Sequence, residues 1–281
     1  MIALNPPIGA IRKPIQLIAN CVDFISHLDV QHEMEWENMS KSKNLDVYIG
    51  YDEKESIAWH VMAQSLIETS SEPLSIHPVS LKNYSRVFTR KTDAKQSNAF
   101  SFSRFMVPYL QDYSGYAVFM DCDMMLRSDI VELFKIAQAR PDKAVHVVKH
   151  DYEPKQKVKF LGNIQYSYPR KNWSSVVVWN CNHPANLKLD LNFVHNGTGA
   201  ELHRFSWLKD EEIGELDVGW NWLVGEYQSD LSTKWVKNVH WTIGGPYFNE
   251  YSHVEFSDEW REMENKMMRC DQLDVKMQNI R

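Results

Sequence analysis

The sequence contains no cluster of basic residues, and its 31 Lys and Arg residues are outnumbered by 37 Asp and Glu residues. The net charge is therefore −6 over 281 residues. Binding to nucleic-acid backbones requires a concentrated positive surface, which this composition does not supply. We do not expect a nucleic-acid-binding protein.

Cysteine is scarce and has no paired spacing. The four cysteines, Cys21, Cys122, Cys181 and Cys270, are scattered, and no C-x-x-C pair indicates a zinc site or a redox couple. This usage favours a reducing compartment.

Long hydrophobic runs are also missing. The most apolar stretch near the start, IQLIANCVDFI, is short and contains Asp23, so it predicts neither a membrane span nor a signal peptide. We therefore expect a soluble, cytoplasmic protein without a transmembrane segment. The sequence indicates no oligomeric state.

Strand and helix patterns alternate over residues 45–150. LDVYIGY, LSIHPVSL and KAVHVVKH are rich in β-branched residues, and GYAVFMDCDMML reads as one nearly continuous buried strand. DEKESIAWHVMAQSLIETSS and IVELFKIAQA between them read as helices, and SFSRFMVPYL begins a helix that ends near Pro108. This alternation predicts an α/β fold with a Rossmann-like, mostly parallel central sheet flanked by helices in a single domain.

The second half has a weaker pattern. WSSVVVWNC predicts a strand, and an aromatic-rich helix is expected around ELHRFSWL. The C-terminal stripe Trp260, Met263, Met267 and Met268 is more typical of a helix docked on a core than of a cofactor site. We divide the chain into a peripheral N-terminal extension (1–44), a main domain (45–250) and a C-terminal helical extension (251–281).

Two aspartates lie at the end of the most apolar predicted strand. Side chains at i and i+2 of an extended chain project to the same side, so Asp121 and Asp123 point together. The carboxyl end of a parallel strand is where ligands bind in open α/β sheets. Converging carboxylates repel unless a cation lies beside them, and oxygen ligands suit Mg²⁺ or Mn²⁺ bound to a diphosphate. The alternative is an ordinary acidic loop, which is common after strands.

A wider resemblance rests on the order of several motifs. FSFSRFMVPYL, GYAVFMDCDMMLRSDIVELF, YPRKNWSSVVVWNC, WNWL and VHWTIGGP follow one another between Leu45 and Tyr247. In this order they resemble glycosyltransferase family 8 and its small bacterial and viral relatives. The resemblance implies a GT-A fold and retaining transfer of a sugar from a nucleotide sugar, usually a UDP-sugar, with Mn²⁺ (or Mg²⁺) held by a D-x-D motif.

The resemblance also implies roles for single residues. Gly50, Tyr51 and Asp52 would contact the nucleotide, although Asp52 could simply cap the following helix. Arg104 would hold the acidic pair and donor oxygens, its alternative being a surface ion pair. The remaining implied contacts are the metal ligands Asp121, Asp123 and His240, ribose contact at Cys122, and close approach of the diphosphate at Gly244 and Gly245.

The sequence departs from the family pattern at one positively charged residue. The family pattern carries a lysine after the histidine, whereas IGGPYF has none. Arg170 and Lys171 are substitutes by position, and their alternative is a solvated turn.

The sugar pocket is expected around NWSS. Asn172, Ser174 and Ser175 would bind hydroxyl groups, and Trp173 would stack on the sugar ring. The resemblance places an acidic–amide pair that touches the donor sugar near WLKDEEIGELD, and it implies Asp210 and Glu212 as catalytic residues; the alternative is a solvated face, which is usual for such a charge run. His150 and Asp151 could lie on the acceptor side or be purely structural.

The sequence thus favours a glycosyltransferase with a nucleotide-sugar donor and a glycan, lipid or other hydroxyl acceptor. A nucleotidyltransferase acting on sugar phosphates is the second possibility, but VYIGYDEKES lacks the expected Gly- and Lys-rich loop. A non-catalytic sugar-binding protein on the same scaffold is the third, and it would be expected to lose the acidic pair or His240.

Overall fold

The computed structural model describes residues 44–268 except 92–95, 97, 157, 165–166, 168 and 228–232. The predicted N-terminal extension up to residue 43, Cys21, Cys270 and the end of the C-terminal extension lie outside the described residues. The proposed domain boundaries stay predictions.

The strands of the described chain are short. They are β1 (Leu45–Gly50), β2 (Leu74–Val79), β3 (Tyr116–Met120), β4 (Met124–Leu126), β5 (Val145–Val147), β6 (Val158–Lys159), β7 (Asn163–Ile164), β8 (Val176–Asn180), β9 (Ile213–Glu215), β10 (Trp222–Leu223) and β11 (Asn238–His240).

The described α-helices vary more in length. They are α1 (Ser56–Thr69), α2 (Val107–Leu110), α3 (Val131–Gln138), α4 (Leu191–Asn196), α5 (Gly199–His203) and α6 (Ser257–Met268). Short 3₁₀ turns cover Glu53–Glu55, Ser103–Met106, Phe160–Gly162, Trp173–Ser175, Pro184–Lys188, Asp210–Glu212, Val218–Asn221, Thr233–Trp235 and Asn249–Tyr251.

The central sheet has six strands in the order β2-β1-β3-β8-β5-β9. β1 is parallel to β2 and β3, β5 is parallel to β9, and β8 runs antiparallel to both of its neighbours. The predicted mostly parallel α/β fold is confirmed. Because all strands except β8 share one direction, their carboxyl ends meet at one edge, where ligands bind in such sheets.

The acidic stretch is not one continuous strand, and that prediction is wrong. β3 lies in the central sheet, whereas β4 belongs to a separate three-stranded sheet of order β10-β11-β4. Residues 121–123 form the link between the two sheets. The chain leaves the central sheet at its carboxyl edge and turns, so both aspartates lie at a corner where the two sheets meet.

Three other expectations need local correction. Pro108 does not end a helix but lies in the first turn of α2, where its missing N–H costs no hydrogen bond. In the WSSVVVWNC segment, Trp173–Ser175 is a 3₁₀ turn and only β8 is extended. The helix expected around ELHRFSWL stops at His203, and Phe205 has a φ of 52°, which no helix continues through.

The described residues form two apolar clusters in the core. The larger one surrounds the central sheet, and the predicted inward face of α1, including Ala58, Val61 and Leu66, is buried. The smaller cluster joins α1 to α6 through Val61 and Trp260. Met263 and Met267 pack against this smaller cluster.

Two further features of the described residues bear on the sequence predictions. Met268 departs from the expected apolar stripe, because it is 71% exposed. Cys122 and Cys181 are buried and form no disulfide within the described part of the chain. No helix in this part of the chain is both long and apolar enough to cross a membrane.

Candidate metal and nucleotide site

Three potential metal ligands meet at the corner between the two sheets. Asp121 and Asp123 lie in the link after β3, and His240 is the last residue of β11. The antiparallel pairing of β11 with β4 places His240 opposite Met124, and Trp241 N donates to Asp123 O at 2.9 Å. One ligand atom from each of the three residues lies within 4.8 Å of the other two. The fold therefore brings the predicted ligand set together.

The side chain of Asn221 fixes the orientation of the His240 ring. Asn221 Nδ2 lies 2.8 Å from Ser175 Oγ and 3.2 Å from Asn172 O, so it acts as the donor there. Its Oδ1 then faces His240 Nδ1 at 2.8 Å and accepts the Nδ1–H. The Nε2 lone pair is left pointing toward the carboxylates, which is the arrangement of a metal-binding imidazole.

The carboxylates fit a divalent cation. Asp123 Oδ1 is buried without a hydrogen-bond partner among the described residues, 3.3 Å from His240 Nε2. Two facing lone pairs repel unless a cation lies between them. Two carboxylates and one imidazole suit Mn²⁺, for which imidazole is a better ligand than it is for Mg²⁺.

Arg104 lies on the other side of Asp121. Its Nη1 is 2.7 Å from Asp121 Oδ1 as an ion pair and donates to Ser174 O at 2.9 Å. Both side chains are buried. Burial raises the pKa of Asp121 to about 6, against the charge of Arg104, which lowers it. Arg104 is thus a buried partner of the acidic pair, as the resemblance implied, and not a surface ion pair.

The NWSS segment makes hydrogen bonds that hold the metal-ligand residues in place. Asp121 N donates to Ser175 O at 3.0 Å, and Ser175 Oγ donates to Asn172 O at 2.7 Å. Ser174 Oγ lies 2.8 Å from His203 Nδ1. Both hydroxyl groups, predicted to bind sugar, are buried and already hydrogen-bonded inside the protein. Their observed contacts are structural ones.

Asn172 and Trp173 are partly exposed beside this support. Asn172 Nδ2 lies 2.7 Å from Tyr152 Oη, and Trp173 Nε1 donates to His150 O at 3.0 Å. The Trp173 ring has the Arg170 guanidinium 5.2 Å from its centre. Their predicted contact with the sugar stays a prediction.

His150 is the buried member of this neighbourhood. Its Nδ1 lies 2.5 Å from Tyr227 Oη, and its buried Nε2 has no hydrogen-bond partner in the part of the chain that the structure describes. Burial lowers the pKa of His150 to about 3, so the ring is neutral. Asp151, the other residue considered for the acceptor side, is exposed.

The residues at the end of β1 make capping and packing contacts within the protein, which is the alternative to nucleotide contact that the sequence left open for Asp52. Asp52 caps the following turn through Lys54 N at 3.0 Å, and its other oxygen accepts from Ala99 N at 2.8 Å. A Cβ on Gly50 would collide with the Phe100 ring. Tyr51 is partly exposed and meets Trp59 edge-on, with ring centres 6.4 Å apart. Nucleotide contact by this segment stays a prediction.

Gly244 and Gly245 leave room for two tyrosines. A Cβ on Gly244 would meet the ring of Tyr251, and a Cβ on Gly245 would meet the ring of Tyr247. Packing therefore accounts for both glycines without a diphosphate. The Cys122 thiol is fully buried, so only the backbone of Cys122 could contact a ribose.

Asp210 and Glu212 make their described contacts outside the acidic centre, and their catalytic assignment stays a prediction. They precede β9, and Ala144 N, just before β5, donates to Glu212 O at 2.8 Å, so they lie at the amino edge of the parallel strands. The Asp210 side chain is 86% exposed and pairs with Arg170. Glu212 Oε2 accepts from Lys209 N at 2.8 Å. The charge run is a solvated face.

Arg170 and Lys171, the predicted substitutes for the missing family lysine, also differ from expectation. Arg170 is held by Asp210 and by the carbonyl of Arg204. Lys171 is buried, and burial lowers its pKa to about 8, with the charge of Lys159 acting in the same direction.

Sequence reasoning missed three residues near the acidic pair. Asn221 lies in the quoted WNWL motif, so a signal for it was available. Glu55 is 2% exposed and accepts from Tyr247 Oη at 2.6 Å. Burial and the charge of Asp123 raise the pKa of Glu55 to about 8. Lys159 is the third, and no local pattern distinguishes it or Glu55 from surface residues.

Comparison with known proteins identifies a relative. No protein-family model matches the chain. Over 246 residues it is 42% identical to Protein CDI of Arabidopsis thaliana, covering 85% of this chain and 94% of that protein. This chain belongs to the Protein CDI family.

Solved structures similar to this CDI-family chain are glycosyltransferases. The glycosyltransferase GlyE of Streptococcus pneumoniae TIGR4 aligns with a TM-score of 0.54 at 13% identity over 79% of this chain. An active-site mutant of LgtC aligns with a TM-score of 0.50 at 10% identity, covering 81% of this chain and 98% of LgtC. This chain spans only 60% of GlyE and 49% of the bifunctional WbbM, which has a TM-score of 0.48. At these identities the likeness shows the GT-A fold.

Proposed function

We propose that this CDI-family chain is a metal-dependent, family 8-like glycosyltransferase that transfers a sugar from a nucleotide sugar to a hydroxyl acceptor with retention of configuration. A UDP-sugar is the proposed donor, and a glycan or lipid is the proposed acceptor class. The observation that carries the proposal is the convergence of Asp121, Asp123 and His240 at the carboxyl edge of a GT-A sheet.

Asp121, Asp123 and His240 would hold the cation, with Mn²⁺ preferred over Mg²⁺ because of the imidazole. Bound there, it would supply Lewis-acid stabilisation of the negative charge that develops on a departing diphosphate.

The protein's own groups are positioned before a donor arrives. Asn221 keeps the Nε2 lone pair of His240 directed toward the aspartates, and Arg104 keeps Asp121 in place through an ion pair at 2.7 Å. Both holding residues are buried, so they exclude water from the back of the site. Such preorganised charge is the largest contribution in many enzymes that stabilise a developing anion.

The proposed nucleotide site follows β1 and the proposed sugar site lies at Asn172 and Trp173. Asp52 uses one lone pair of each carboxylate oxygen for Lys54 N and Ala99 N, so capacity remains for a base N–H. We favour attack by the acceptor hydroxyl on the same face of the sugar over a covalent intermediate.

The test compares Asp123→Ala with Asp142→Ala, a control carboxylate that is 55% exposed and pairs with Arg140. Both variants and the wild type are incubated with Mn²⁺ and a panel of UDP- and GDP-sugars, and sugar release or transfer is measured. We expect turnover in the wild type and in the control, and none in Asp123→Ala, with all three folded by circular dichroism.

Turnover by Asp123→Ala at close to the wild-type rate would refute the metal assignment. Donor binding without turnover in the wild type would favour a sugar-binding protein instead. Formation of a nucleotide sugar from a nucleoside triphosphate and a sugar phosphate would favour a nucleotidyltransferase.

A further inference from the structure

Lys159 is carried by a hairpin that is attached to the segment after His240. β6 and β7 form this hairpin, and Phe160 N donates to Ile243 O at 2.8 Å. The Phe160 ring stacks on Phe248 with 5.1 Å between ring centres. These contacts fix the backbone beside Lys159 against the chain that leaves the metal ligand.

The charges around Lys159 are those of the acidic centre. Burial lowers the pKa of Lys159, and the charges that oppose this lowering are those of Asp123, Asp121 and Glu55. Lys171, the substitute favoured by the sequence, interacts instead with Lys159 and Glu226. Of the two lysines, Lys159 is therefore the one whose charge interacts with those of the carboxylates, and the contact of Phe160 N with Ile243 O places its backbone beside the segment that follows His240.

We propose that Lys159 is the second cation of the site, which binds the diphosphate of the nucleotide donor and weakens the binding of a divalent metal while no nucleotide is present. The proposal rests on the proposed function above. A nucleoside diphosphate carries more negative charge than one divalent ion neutralises, so a fixed ammonium group adds stabilisation. Before the nucleotide binds, the same ammonium group repels a metal ion at the neighbouring carboxylates.

The segment after His240 cannot supply this charge itself, because TIGGPYF contains no lysine or arginine. The hairpin contact at Ile243 brings a lysine from another part of the chain to this position. The site thereby recovers a positive group that its own loop lacks.

The experiment measures two affinities in Lys159→Gln, Lys159→Arg and Lys171→Gln. Lys135→Gln serves as the charge-matched control, because Lys135 is exposed on α3. Mn²⁺ affinity is measured without nucleotide, and the affinities for UDP and UMP are measured at saturating Mn²⁺. Thermal unfolding checks that each variant is folded.

We expect the two affinities of Lys159→Gln to change in opposite directions. Mn²⁺ should bind about threefold more tightly once the repelling charge is removed. UDP should bind about tenfold more weakly, because a charge-assisted hydrogen bond to its diphosphate is lost. The affinity for UMP should fall by a smaller factor, because UMP has no diphosphate. Lys159→Arg should bind UDP nearly as the wild type does. A variant that is merely misfolded would weaken both affinities.

Two results would overturn the proposal while leaving the proposed function intact. One is wild-type UDP binding in a folded Lys159→Gln variant. The other is loss of UDP binding in Lys171→Gln with no loss in Lys159→Gln. If the wild type binds neither UDP nor GDP with Mn²⁺, the proposed function and this inference both fail.

Discussion

Asn221→Ala tests whether the residue that orients the His240 ring controls metal binding. The asparagine side chain is fully buried and makes three contacts, to His240, Ser175 and Asn172, at 2.8 to 3.2 Å. Truncation removes the only described acceptor that holds the Nδ1–H of His240, so the ring is free to rotate or change tautomer. Removing such a partner typically lowers metal affinity 10- to 100-fold, or about 1.4 to 2.7 kcal/mol.

The same substitution also destabilises the fold, so a matched control is needed. Asn186 is equally buried, and its Nδ2 donates to Ala144 O and Asn180 O, both at 2.9 Å. These partners lie at the amino edge of the sheet, away from the metal ligands. Each truncation should cost about 2 to 3 kcal/mol of unfolding free energy, because it removes several buried hydrogen bonds.

The assay is Mn²⁺ titration of the wild type, Asn221→Ala and Asn186→Ala at a temperature at which all are folded. We expect weaker binding only in Asn221→Ala, and Asn186→Ala should stay within about twofold of the wild type. Equal Mn²⁺ affinity in all three proteins would refute the reasoning that Asn221 orients His240.

Two more predictions concern the buried acid and the last helix. The pKa of Glu55 is raised from its usual value near 4.5 to about 8, so the folded state retains a proton that the unfolded chain releases between these values. Stability of the metal-free protein should therefore fall from pH 5 to pH 8, by up to about 1.4 kcal/mol per pH unit, and less steeply in Glu55→Gln. Melting temperatures in chelator at several pH values decide this, and equal slopes would contradict it. Trp260→Ala should cost about 3 to 5 kcal/mol because the ring is 1% exposed, whereas Met268→Ala, at a residue 71% exposed, should cost less than about 0.5 kcal/mol in urea unfolding.

Local patterns predicted most strands of the central sheet, because several of them are buried on both faces and the flanking helices follow a clear period. β1, β2 and α1 lie where the sequence placed them. The acidic pair was also found, but the reason given for it was wrong. Asp121 and Asp123 face a common point because the chain turns between two sheets, and not because they alternate along one strand.

Residues distant in sequence were predictable only when a motif pointed to them. His240 came from the resemblance, and the pairing of β11 with β4 explains its position. The exposure of Asp210 could not be predicted, because a run of acidic residues looks the same in sequence whether it faces a ligand or solvent. Lys159 lies on a strand of two residues, which is too short to show any period.

The link at residues 121–123 joins elements that otherwise belong to different sheets. Asp121 follows β3 of the central sheet, whereas Asp123 precedes β4 and His240 ends β11, the paired strands of the smaller sheet. An ion held by all three residues would fasten the smaller sheet to the larger one. Opening of the smaller sheet would then require release of the ion, so amide hydrogens in β4 and β11 should exchange more slowly in proportion to metal occupancy.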